Sequence, residues 1–91
     1  MTDEIIRVDG SRAPYSPVGA HYTLEELRKA IGGGYIQIVH TKDGRLIVMD
    51  EEGKLKGLPI NAAATALYPY GEHDPVVGDV LVVNSSRIKT A

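Results

Sequence analysis

Three histidines, five tyrosines, four serines and a run of carboxylates are the residues of this 91-residue chain that could do chemistry. His21, His40 and His73 lack the i, i+4 spacing that sets two imidazoles on one helix face, so no metal or other cofactor is expected. Ser11, Ser16, Ser85 and Ser86 fall in turn-like or terminal stretches, and no Gly-x-Ser-x-Gly elbow presents one as a nucleophile. The chain has no Cys, hence no thiol nucleophile, disulfide framework or Cys-ligated zinc. Asp50, Glu51 and Glu52 are adjacent in a turn, where carboxylates are solvated; an acid–base pair needs one member buried and shifted. His40 shares a strand face with isoleucines and reads as a half-buried, hydrogen-bonded side chain. An enzyme is not expected.

Binding chemistry is better supplied. The aromatic content is Tyr15, Tyr22, Tyr35, Tyr68 and Tyr70, each with an apolar face for stacking and a polar tip. The segment Gly57-Leu58-Pro59-Ile60-Asn61 enters an alanine-rich stretch, with Asn61 as N-cap and the proline fixing the approach. It reads either as a rigid joint or as a set of free amides facing an anion. Gly32-Gly33-Gly34 follows a helix, the reverse of a phosphate-binding order, and reads as a helix stop. Three glycines exceed what a stop needs, and they allow a ligand or another chain to approach the backbone. Lys42, Arg45, Lys54 and Lys56 bracket the hairpin and read either as a solvated face, the default, or as one basic rim beside the acids Asp50, Glu51 and Glu52. The candidate ligand site is therefore Gly33, Gly34, Tyr35, Arg45, Lys56, Leu58, Pro59, Asn61 and Tyr68, with Tyr15 and His21 closing over it from a loop.

The elements that must position these residues follow from periodicity. Residues 4–8 read as a strand, and 9–22, rich in Gly, Pro and Ser, as a long loop and flap. Thr23 and Glu26 form a capping-box pattern, and Leu24, Leu27 and Ile31 give one apolar stripe, so a helix spans 24–31. Residues 35–41 alternate, Lys42-Asp43-Gly44-Arg45 signals a tight type I′ hairpin, and 45–50 returns. Ile36 and Ile38 are expected to face the core. Residues 51–54 read as a second turn and 62–68 as a second helix. Residues 69–75 read as a loop, 79–83 as a central strand, and the tail 84–91 as frayed. The fold class is α+β: a small antiparallel sheet of about four strands with two short helices. Its β-α-β-β-α-β order matches the split βαβ arrangement, with other antiparallel topologies open.

Composition sets the frame. A mass of 9.8 kDa is one domain. Ten Lys and Arg against twelve Asp and Glu argue against a duplex-DNA binder working through bulk charge. No run approaches a membrane span and no signal peptide opens the chain, so the cytoplasm is the expected compartment. Eight Ile, seven Leu, nine Val and two Met, with no Phe or Trp, make a small core. Oligomerisation is a common remedy for one, and a homo-oligomer is expected.

Several blocks also occur together: the helix ending in Gly-Gly, Tyr35-Ile36-Gln37-Ile38-Val39, and Leu46 through Asp50-Glu51-Glu52-Gly53-Lys54-Leu55. Gly57-Leu58-Pro59-Ile60-Asn61-Ala62 and Gly78-Asp79-Val80-Leu81-Val82-Val83 complete the set. Over residues 22–83 the chain resembles a small domain family of unknown function, found mainly in bacteriophages and bacterial mobile elements. The resemblance brings no catalytic residues. It implies a phage accessory protein, and such proteins commonly bind rather than catalyse. One expectation is an anti-defence "sponge" that sequesters a cyclic nucleotide or nucleotide-derived immune signal. The alternative is a protein–protein interaction module that inhibits a host enzyme or regulates phage gene expression.

Overall fold

The strongest local signal, Thr23 with Glu26, is where helix α1 (Leu24–Ala30) begins. The Thr23 hydroxyl accepts from the Glu26 amide at 3.1 Å, and the Glu26 carboxylate accepts from the Thr23 amide at 2.8 Å. The buried stripe is Leu27, Ala30 and Ile31; Leu24, at the first helical position, points outward and is 59% exposed. The computed structural model of the protein describes residues 3–88. Its remaining elements are β1 (Glu4–Ile6), β2 (Arg12–Pro14), β3 (Ile36–His40), β4 (Leu46–Asp50), α2 (Ala62–Leu67) and β5 (Val80–Val83), then a short 3-10 turn at Ser85–Arg87.

All five strands form one antiparallel sheet in the order β2-β1-β5-β4-β3. The α+β class and the antiparallel sheet agree with expectation, but the strand count rises to five. The additional strand, β2, lies inside the segment read as a loop at 9–22. Its three residues include a proline and present no alternation to detect. The tail expectation at 84–91 meets the 3-10 turn at 85–87, while residues 89–91 lie outside the described ones.

The split βαβ arrangement does not hold. Opposed residues in an antiparallel ladder share a face, so Leu46, Val48, Leu81 and Val83 lie on one side and Ile47, Val80 and Val82 on the other. Leu27, Ala30 and Ile31 pack on the first group, whereas Ala64, Ala63 and Leu67 pack on the second. The helices therefore cover opposite faces of the sheet. β5 is central, and all four of its residues are buried, as its near-continuous apolar run predicts. The chain's own two helices account for burial on both faces.

The β3–β4 hairpin forms with the expected pairing, Ile36↔Asp50 through His40↔Leu46. Its turn is different. Gly44 has φ +87°, yet no non-glycine residue among the described ones has positive φ, Asp43 included, which rules out type I′. The Thr41 amide donates to the Arg45 carbonyl at 3.0 Å, and that of Gly44 to the Thr41 carbonyl at 3.4 Å. This is a three-residue loop closed by a left-handed glycine, steadied by Asp43, which accepts from both the Thr41 hydroxyl and the Arg45 guanidinium. β3 is an edge strand: Ile36 packs against the core on the α1 face and Val39 on the α2 face, whereas Ile38 is 39% exposed and His40, read as half-buried, is exposed.

Candidate functional site

The glycines after α1 and the 57–61 joint converge. α1 ends in a Schellman arrangement, with the Gly33 amide donating to the Arg28 carbonyl at 2.7 Å and that of Gly32 to Lys29 at 3.3 Å. Gly34 then passes directly over an ion pair: a Cβ there would lie 2.8 Å from Lys56 Nζ and 3.2 Å from Asp50 Oδ2. That close approach and the positive φ of +88° at Gly34 together explain the third glycine. The Asp50 carboxylate, 5% exposed, accepts from Lys56 Nζ at 2.7 Å and from the Glu52 amide at 2.8 Å. Burial pulls its pKa up, but the Lys56 hydrogen bond, the Glu52 amide and the Lys56 charge together hold it below the ordinary carboxylate range.

Beside this pair is an open depression of about 370 Å³ whose wall includes Gly32, Lys56, Leu58 and Pro59. Asp50 and Asp79 also line it, so two carboxylates stand against one ammonium. Asp79 accepts from the Val8 amide at 3.0 Å. The charge does not favour a phosphate.

The other predicted residues lie elsewhere. Asn61 is fully buried beneath the joint. Its side-chain oxygen accepts from the Ala64 amide at 3.1 Å, capping α2, and its amide nitrogen donates to the carbonyls of Ile6 at 2.9 Å and Gly78 at 3.0 Å. Every polar group of that side chain is thus used within the fold. Arg45 sits at the opposite end of β4 from Asp50, gripping Asp43 at 2.7 Å. This pairing, with help from Thr41, keeps Asp43 well below the usual carboxylate range. Tyr68 caps the C-terminus of α2 and forms an edge-on pair with Tyr70, centroids 5.6 Å apart.

Tyr15 and Tyr22 stack at 5.8 Å next to α1. The Tyr15 hydroxyl donates to the Glu26 carbonyl, and that of Tyr22 to the buried Asp3 carboxylate, each at 2.8 Å. Burial, then Asp3, pushes the Tyr22 hydroxyl up. These contacts pin the 9–22 segment to α1. His21 is exposed, and Tyr35 is 68% exposed at the start of β3. The structure therefore unites Lys56, Leu58 and Pro59 with Gly32 around one depression and sets Gly34 over Lys56, while Gly33, Arg45, Tyr15 and Tyr68 do not line it. Among the described residues no three His, Asp or Glu side chains cluster closely enough to hold a metal ion. No helix among the described residues is long and apolar enough to cross a membrane.

A second surface, not foreseen, is the outer edge of β3. Tyr35 and Thr41 bond inward to Glu51 and Arg45, and antiparallel alternation extends this to Gln37 and Val39. The N–H and C=O groups of Ile36, Ile38 and His40 therefore point away from the sheet. No charged residue or proline lies between Tyr35 and Thr41. The other edge, β2, is only three residues long, with Arg12 bound to Glu4 at 2.6 Å and Pro14 lacking a donor. Next to β3 on its α2 side is a cleft of about 70 Å³ walled by Gln37, Val39, Met49, Tyr68, Pro75 and Val77. At its rim Lys54 pairs with Asp74. The missing charge between Tyr35 and Thr41 was legible; that 35–41 lies at an edge was not.

The family model described as "Domain of unknown function (DUF3846)" matches residues 1–89. No curated protein and no solved structure matches the chain.

Proposed function

The chain belongs to the DUF3846 family, a domain of unknown function, and from that premise we propose that it is a non-enzymatic interaction module that binds an extended protein segment by strand addition to β3. One observation carries the reading. β3 is an uncharged edge with three residues' backbone groups facing outward, beside a small cleft of mixed apolar and charged lining that takes a side chain of the added strand in this reading. Main-chain bonds supply affinity in such a mode, and the cleft supplies selectivity. The setting proposed with it is the cytoplasm of a phage-infected bacterium, where the module inhibits a host enzyme or regulates phage gene expression; that setting comes from the block resemblance alone.

The test is a titration of the labelled protein with a capped, uncharged peptide of alternating valine and threonine, followed by NMR. Shift changes and slowed amide exchange centred on Ile36, Ile38 and His40 are expected. Changes confined to other surfaces, or none at millimolar peptide, overturn the reading.

Sequestration of a nucleotide-type signal is the second reading, favoured by the convergence of Gly32, Lys56, Leu58 and Pro59 on one depression of ligand size. The two carboxylates there count against it. A thermal-shift panel of cyclic di- and oligonucleotides and ADP-ribose derivatives decides it. Saturation at a hundred times Kd stabilises by about 2.7 kcal/mol, a rise of several degrees.

A further inference from the structure

The β3 edge is self-complementary. When two copies of β3 are set antiparallel about a two-fold axis through Ile38, Ile38 faces its own counterpart and Ile36 faces His40. The outward-pointing residues of each strand then meet outward-pointing residues of the other. Every free N–H and C=O of Ile36, Ile38 and His40 finds a partner in this register. A shift of two residues leaves His40 or Ile36 unmatched. Opposed residues share a face, so the half-exposed Ile38 side chains come together on the α1 side, covering apolar surface that α1 leaves open. Gln37 and Val39 oppose each other on the α2 side. Because residues 35–41 carry no Lys, Arg, Asp or Glu, the two-fold brings no like charges face to face along the strand.

We propose that this chain forms a two-fold dimer by pairing β3 with β3 of a second copy, joining two five-stranded sheets into one of ten strands. The inference rests on the strand-addition reading and names a second copy as an occupant of that edge. It also gives a small aliphatic core a continuous sheet to lean on, with its least protected edge removed. The contact is a strand pair with one apolar residue per copy at its centre, so it belongs with small, concentration-dependent interfaces.

The test uses the full chain. Light scattering across the micromolar range is expected to move from the 9.8 kDa chain mass towards twice that value. Ile38→Pro removes an N–H that faces outward and leaves the bonds of Gln37 and Val39 to β4 in place. It is expected to raise the dissociation constant about tenfold or more, because each copy loses its N–H and the dimer two hydrogen bonds, with cooperative melting retained. Ile38→Lys repeats the test without a proline. Because the chain has no Cys, Ile38→Cys provides a direct geometric readout. Opposed Cα atoms about 5.5 Å apart in a bonded pair lie within disulfide range, so mild oxidation is expected to link two copies efficiently and Gln37→Cys much less.

A monomer at all concentrations, or a dimer that neither Ile38→Pro nor Ile38→Lys weakens and that oxidation of the Ile38→Cys variant does not link, overturns the proposal. If the chain stays monomeric yet the valine–threonine peptide perturbs Ile36, Ile38 and His40, self-pairing is wrong and strand addition stands. If the peptide also has no effect, both fail.

Discussion

Asn61 makes the strongest quantitative claim in the fold, because one buried side chain performs two separable tasks. Its oxygen caps α2 through the Ala64 amide, and its nitrogen clamps the carbonyls of Ile6 and Gly78, tying the end of β1 to the approach to β5. Asn61→Ala loses the cap, about 0.5–2 kcal/mol, and strands the buried Gly78 carbonyl at about 1–3 kcal/mol, while the Ile6 carbonyl loses one of two partners and keeps its ladder bond to β5. The expected loss is about 2–4 kcal/mol. With a urea slope of about 1–2 kcal/mol/M for a small domain, the unfolding midpoint falls by roughly 2 M. Asn61→Asp separates the tasks, since a carboxylate still accepts from Ala64 but donates nothing to the carbonyls. Burial and the two facing carbonyl oxygens raise the pKa of that carboxyl. The native state of the variant then holds a proton more tightly than the unfolded chain, so its stability is fullest below about pH 4 and falls as pH rises. Urea unfolding at pH 4 and pH 7 measures both effects. An Asn61→Ala loss below about 1 kcal/mol, the scale of a cap alone, or an Asn61→Asp stability that rises with pH, refutes the clamp.

The wild-type acid limb is expected to carry the opposite sign at Asp50. Its depressed pKa contributes stability above the ordinary carboxyl value of 3.8, lost as pH falls through the folded value. Asp50→Asn flattens that limb in an acid titration of the melting temperature, and an unchanged limb contradicts the pairing. Lys56→Met leaves Asp50 buried without its cation, so it is expected to destabilise more at pH 7 than at pH 3; equal losses at both tell against it. Gly44→Val is expected to cost about 1–3 kcal/mol from backbone strain at φ +87°, since a Cβ there meets nothing within 4 Å. Calorimetry showing an unchanged melting temperature refutes it.

What residue order reveals is set by how local the physics is. Thr23 with Glu26 spells out a cap because both bonds close within four residues, and Lys42–Arg45 spells out a hairpin because Asp-Gly punctuates two apolar runs. The three-residue form of that turn was hidden, since Asp-Gly serves several turn types and only the backbone dihedral of Asp43 separates them. β2 escaped notice because its pairing with β1, not its own pattern, makes it a strand. The placement of α1 and α2 on opposite faces depends on which residues of β4 and β5 each helix meets, information spread over distant parts of the chain. The candidate site divides along the same line. Lys56, Leu58, Pro59, Gly32 and Gly34 are near neighbours in the fold because the 51–58 segment doubles back onto the end of β4. Arg45 and Asn61 are individually reasonable ligands that the fold turns to other partners. The exposed edge at Ile36, Ile38 and His40 follows from strand order alone.

Residue-resolved amide exchange along β3 tests the central claim most directly. In dilute protein the amides of Gln37 and Val39, bonded to β4, are predicted to be protected while those of Ile36, Ile38 and His40 exchange near the rate of an open chain. Adding the valine–threonine peptide, or raising the protein concentration, is predicted to slow those three amides selectively. Equal protection of all five in dilute protein, or three amides that stay open under both conditions, contradicts a binding edge at β3.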